Sequence, residues 1–365
     1  MILHFYFGRR FIQIFGLLMG VFMALLMLID LVEQMRRFAD TDVGFDRLFG
    51  LTLLNAPGAV REILPLIVIL ATIAMFVGLA RSSELVVTRA SGRSGLRALI
   101  APATVAALIG VLSVTTLNPI VAATSARSEQ LSEIYRTGDA AALSISGEGL
   151  WLRQGSKQGQ TVIHARRYNG ETGALLDVTL LAYSAGGGPV RRIEAEGATL
   201  RGGFWDLTGA KVWPLAAGIN PETNAAFHES LRVPSTLTQD RIRSGIGSPS
   251  GVSVWDMPRT IEELQQAGFA TKRHEVWFQI ELARPIFLIS MVLVAAAFTM
   301  RHTRSGGTGV AVLMSVLLGF GLFFIRNFAQ ILGENGQIPV ALAAWAPPIA
   351  SVMLALGLLL HAEDG

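Results

Sequence analysis

Six stretches of this chain carry almost no polar side chains, and between the third and the fourth the pattern changes. Residues 11–32, 57–80, 96–121, 276–300, 309–328 and 338–360 are each apolar over about the 20 residues a helix needs to cross a hydrocarbon core. Pro57 lies near a helix start, where proline is tolerated. Pro65 and Pro102 fall inside spans, and Pro65 is expected to kink its helix. From about 123 to 272 no run reaches spanning length. Short alternating stretches appear instead, at 150–153, 161–168, 177–183, 191–200, 204–213 and 227–233. Glycine turns such as Gly186-Gly187-Gly188 and Gly202-Gly203 divide them. Alternation with period two predicts strands with one buried face, here an all-β sandwich or barrel of about 110 residues. Residues 252–267 predict a helix returning to the membrane, with Ile261, Leu264 and Ala267 on one side. The expected parts are therefore 1–122 (three spans), 123–272 (the β-domain) and 273–365 (three spans).

Composition agrees. The chain is 51% hydrophobic and 16% charged, with mean hydropathy +0.49, against about 25% charged residues in a soluble domain. The net charge of +3 is small and its basic residues are spread over loops, which argues against a nucleic-acid partner. With no cysteine, disulfides, thiolate chemistry and Cys-based metal sites are excluded. The first apolar run follows Arg9 and Arg10 as a signal peptide would. It is too long for one, lacks a small-residue cleavage site and ends in Asp30, Glu33, Arg36 and Arg37, so a retained helix is expected. No GxxxxGK[ST], GxSxG or HExxH motif is present, and Gly155-Ser156-Lys157 has the wrong spacing for a phosphate loop. The six histidines show no ligand spacing. No catalytic residue, metal ligand or cofactor site is assigned, and any energy for work would come from another subunit.

The short basic segments set the orientation. Arg9/Arg10, residues 81–97 and Arg301–Arg304 fall on one side of six spans, which places both termini in the cytoplasm and the β-domain outside. Arg36, Arg37 and Arg47 run against this count, beside the acids Glu33, Asp40, Asp42 and Asp46. Within 81–97, Arg81, Arg89, Arg93 and Arg97 face one acid, Glu84. Ser83 suits an N-cap, Glu84 a first helical turn and Gly92 a stop. Leu85, Val86 and Ala90 add an apolar side. A plain positive-inside loop has the same charge, but the capped, apolar segment favours a short helix on the cytoplasmic face.

Asp30, Glu281 and Arg284 are charges within spans. Asp30 lies at a far end, where a charge costs less than the roughly 2.5–3.5 kcal/mol of mid-bilayer. Glu281 and Arg284 can pair on one helix face. They either neutralise each other or free Arg284 for an anionic head group, with Pro285 bending the helix and Arg326 joining the same rim. In the β-domain, Leu150, Trp151, Ile163, Leu176, Leu180, Trp205 and Trp213 form either a closed core or the lining of an acyl cavity, the core being favoured.

Several of these residues resemble one family. Ser83-Glu84-Leu85-Val86-Val87 with Ala90-Ser91-Gly92 resembles the coupling helix of the LptF/LptG lipopolysaccharide export permeases. Gly149-Leu150-Trp151, Gly319-Phe320, Leu332-Gly333 and Ile338-Pro339 followed by Ala343-Ala344-Trp345-Ala346-Pro347 agree. So does Val32-Glu33-Gln34-Met35-Arg36-Arg37, which is closer to the LptG branch. The resemblance implies a membrane α-helical fold of six transmembrane helices with an inserted, periplasmic all-β jellyroll-like domain. It implies a non-enzymatic inner-membrane permease subunit, paired with an LptF-like permease above an LptB-like ATPase dimer. Lipopolysaccharide would be taken from the membrane lipid and passed to an LptC-like periplasmic protein. By position, Arg81, Glu84, Leu85, Arg89, Ser91 and Gly92 would couple to the ATPase. Arg36, Arg37 and Arg136 would meet lipid phosphates at the cavity mouth; Arg284, Arg326 and Trp151 are further lipid-binding candidates. Asp30 stands where some relatives carry a base, so head-group recognition here is expected to differ. A membrane-anchored scaffold for periplasmic proteins, and a permease for another lipid or lipoprotein, are the alternatives.

Overall fold

The computed structural model describes residues 2–39, 41, 43–84, 95–137, 143–146, 149–156, 159–169, 172–184, 188–215, 220–235, 248–300 and 308–364. The six apolar runs are helical and long enough to cross a membrane. They are α1 (Ile2–Arg37), α2 (Phe45–Arg81), α3 (Gly95–Leu112) continuing through a π turn, Ser113–Leu117, into α4 (Asn118–Thr137), then α6 (Lys272–Thr299), α7 (Thr308–Glu334) and α8 (Val340–Asp364). A short helix α5 (Met257–Gln266) precedes α6. Most helices outrun their apolar stretches. The mixed charges of Glu33–Asn55 suggest a connection between spans; instead Glu33–Arg37 ends α1 and Phe45–Asn55 forms the first three turns of α2, which continues as one helix through Pro57 and Pro65.

The chain divides into two compact units. One is Met1–Ser128 with Ser253–Trp255 and Lys272–Gly365; the other is Glu129–Val252 with Asp256–Thr271. In the helical unit, α6 is the most enclosed element, and Phe287, Leu288, Met291, Val292, Val294 and Ala295 are almost fully buried. Its approach to α3 depends on Gly110, where a Cβ would stand 2.5 Å from the Cα of Pro285. The segment Ser253–Trp255 is tied to the π turn region. Val254 N–H donates to Asn118 Oδ1 at 2.8 Å, and Trp255 Nε1 donates to the Thr115 carbonyl at 3.4 Å.

The second unit is a seven-stranded antiparallel sheet whose strands pair in chain order, a meander. They are β1 (Leu143–Ser146), β2 (Gly149–Ser156), β3 (Gly159–Asn169), β4 (Ala174–Ser184), β5 (Pro189–Arg201), β6 (Phe204–Pro214) and β7 (Ala226–Pro234). Six match the alternating stretches; the four-residue β1 is too short to show a period. From β2 to β6 one face is buried: Leu150 and Leu152, Ile163 and Ala165, Val178 and Leu180, Ile193 and Ala195, Trp205 and Leu207. The sheet curls back on itself. Gln154 in β2 donates to the Pro234 carbonyl at the end of β7 at 3.3 Å and accepts from the Ser235 hydroxyl at 2.9 Å. Helix α5 adds Leu264 to this core, followed by Ala267 and Phe269. Phe269 stacks on Tyr168, and Gly268 takes φ +82° against the Tyr168 carbonyl.

Candidate functional site

The end of α2 builds the first site. Ser82 caps the helix, its N–H donating to the Gly78 carbonyl at 3.1 Å. Ser83 then takes φ +57°. Ser83 therefore stands at the expected N-cap position, directly before helical Glu84, with a left-handed backbone in place of the usual extended one; the N–H groups it would cap lie outside the described residues. The turn brings the Glu84 carboxylate to α1. Ser82 Oγ donates to Glu84 Oε1 at 2.6 Å, Arg10 Nη1 donates to the same oxygen at 2.9 Å, and Tyr6 Oη donates to Oε2 at 2.9 Å. Arg10 also donates to Tyr6 at 2.7 Å. Tyr6 and Arg10 lie one turn apart on α1, so both reach one carboxylate. The Ser82 hydroxyl first, then Arg10 and Tyr6, hold the Glu84 carboxyl below the usual range against partial burial. Arg81 is exposed beside this group. Leu85, Arg89, Ser91 and Gly92 lie outside the described residues.

A second cluster is buried among α2, α6 and α7. Arg284 Nε donates to Glu281 Oε2 at 3.1 Å and its Nη2 to Glu281 Oε1, while Nη1 reaches the Arg61 carbonyl at 3.0 Å. The Arg61 guanidinium is 3.7 Å from Glu281 and lies over the Trp277 ring. Glu281, Arg284 and Arg61 are 1%, 6% and 7% exposed. Arg326 sits over Phe287, 5.1 Å from the ring centroid. The pair at 281 and 284 is thus real but holds a second arginine that sequence reading passed over. Arg61 lies near the start of the second apolar run, far from Glu281 along the chain, so no spacing in the sequence links the two.

The remaining candidates are dispersed. Arg36 is exposed and pairs with Glu33 at 3.3 Å; Arg37 is exposed and stands over Phe38. Arg136 is in the last turn of α4, its side chain outside the description. Trp151 lies between inward-facing Leu150 and Leu152 and therefore points the other way, 41% exposed and packed on His164. It does not line the sheet interior, and Trp213, beneath Lys211 and Arg192, does not either. Leu150, Ile163, Leu180 and Trp205 do, as a filled core.

Comparison with known families decides what these helices and this sheet belong to. The family described as lipopolysaccharide export system permease LptF/LptG matches residues 5–361. The chain belongs to the LptF/LptG family. Lipopolysaccharide export system permease protein LptG of Haemophilus influenzae is 24% identical over 374 residues, covering 98% of both chains. LptG of Escherichia coli K12 is 24% identical over 318 residues, 83% of this chain and 80% of that one. Both relatives agree with the LptG branch. Membership makes this a multi-pass inner-membrane protein and a transporter subunit rather than an enzyme.

Proposed function

We propose that this LptF/LptG-family chain is the LptG-type half of an ATP-driven exporter. With an LptF-like partner it would extract lipopolysaccharide from the inner membrane and deliver it to an LptC-like periplasmic protein. An LptB-like ATPase dimer would supply the work through the segment that begins at Arg81. The observation that carries the reading is the Glu84 carboxylate, presented at the turn after the second span by Ser82, Arg10 and Tyr6. An ionised acid fixed there is suited to a cationic group on a motor subunit. In this reading 81–92 and both termini face the cytoplasm and the sheet domain faces the periplasm. Arg36, Arg37 and Arg136 meet head-group phosphates, and Arg284 and Arg326 stand along the same route.

The test is lipopolysaccharide export and ATPase copurification in Glu84→Ala and Glu84→Lys cells. Both are expected to fall sharply; full export and retained ATPase would defeat the coupling role. One observation favours a second reading for the sheet domain alone: Trp205 and its neighbours fill the interior, as in a docking module. Photocrosslinkers at Leu180 and Leu207 capture lipid only if the interior opens as a conduit.

A further inference from the structure

The recess between α1 and α2 has a polar floor that the protein leaves half satisfied. It is lined by Met23, Met27, Asp30, Thr52, Asn55 and Ala59, among others. Asp30 brings the only charge. Its hydrogen bonds come from amides: Gln34 Nε2 at 3.3 Å, and Asn55 Nδ2 at 3.4 and 3.3 Å from its two oxygens. These are long, whereas an ionised carboxylate draws a charged donor to about 2.7–2.9 Å. Among the described residues no basic side chain pairs with Asp30; Arg36, on the same helix, is paired with Glu33.

The neighbours show which group is missing. Asn55 accepts from the Ser128 hydroxyl at 2.7 Å, which turns its donor end toward Asp30. Two more oxygens are buried without partners, Gln34 Oε1 and Thr52 Oγ1, and Thr52, 1% exposed, is part of the recess wall. The floor therefore wants one positive charge and additional N–H or O–H donors. A primary ammonium brings one charge and three N–H donors. A quaternary ammonium is better met by aromatic faces, and this lining has none. Hard metal cations want six or more oxygens, more than converge here. A phosphate would meet a like charge. Leu25, Leu28, Ile29 and Val32, on the helix that carries Asp30, are exposed and form an apolar face suited to acyl chains.

We infer that this recess binds the primary ammonium of a lipid head group, Asp30 balancing the charge and Thr52, in the recess wall, taking a further N–H donor. The inference requires only that α1 and α2 cross a bilayer, so it stands or falls separately from the export reading. The full chain is purified into micelles containing equal phosphatidylethanolamine and phosphatidylcholine, and native mass spectrometry reads the retained lipid. The wild type is expected to retain phosphatidylethanolamine about tenfold over phosphatidylcholine, the worth of one charge-assisted bond. Asp30→Asn is expected to bring the two to parity without lowering the thermal midpoint. Ala59→Leu fills the recess and leaves every polar atom in place; it is expected to do the same, and it decides the matter should Asp30→Asn not fold. Parity in the wild type, or a preference that survives both substitutions, overturns the inference. Ethanolamine alone binding as tightly as the lipid would assign the recess to a free ammonium ion and overturn the lipid assignment.

Discussion

A single carboxylate can be fixed in place while contributing little to folding, and Glu84 is such a case. Its side chain is 35% exposed and that of Arg10 28%, so the pair is screened and is expected to contribute about 0–1 kcal/mol. Glu84→Gln should barely move the thermal midpoint near neutral pH while affecting export. Because its carboxyl is depressed in the folded chain, the small gain is complete above the ordinary carboxylate range, about pH 4.3 for glutamate. It is lost as acid protonates Glu84 below that range. The difference in thermal midpoint between wild type and Glu84→Gln should therefore close on acidification, and a difference that persists at low pH would contradict this account. Glu281 is the opposite case. At 1% exposure it balances Arg284 with Arg61 beside them. Glu281→Gln leaves buried guanidinium charge uncompensated and should cost about 3–5 kcal/mol, read by denaturation of the micelle-bound chain. Arg10 could not be paired with Glu84 from sequence, since 74 residues separate them; Glu281 and Arg284 could, being one turn apart.

Elements were legible where a period repeats many times. The six spans and six of the strands stand out because lipid, or one buried sheet face, imposes the same demand at every turn or every second residue. Irregular features leave no such trace. The π turn at Ser113–Leu117 lies in an unbroken apolar run, and β1 has four residues. Hydrophobicity alone groups Trp151 with Leu150, although adjacent strand residues cannot share a face. Helix contact leaves no period either: Gly110 lies in an unbroken apolar run, and the backbone of Pro285 against it shows only in the fold. Gly110→Val should push α3 and α6 apart and cost about 1–3 kcal/mol. A thermal midpoint equal to that of wild type would show that the two helices can separate freely.

At the scale of the whole chain, the order of elements makes a strong statement. Glu84 follows the second spanning helix and the sheet follows the third, so one membrane crossing lies between them. With no native cysteine, single cysteines at Ser82 and Phe227 can be labelled on a clean background. An impermeant maleimide added to intact spheroplasts should reach position 227 and spare position 82. Equal labelling of both would refute the topology proposed above. The chain order also bears on the curled sheet. Among the described residues, pairing runs from β1 to β7 without closing, so no ladder of main-chain bonds joins the last strand to the second. Gln154 reaches across that unladdered margin to Pro234 and Ser235, at about 0.5–1.5 kcal/mol per bond. The sheet thus resembles a cuff whose margin is fastened by side chains: Gln154 bridges β2 to the end of β7, while the strands from β1 to β7 are held to their neighbours by main-chain ladders.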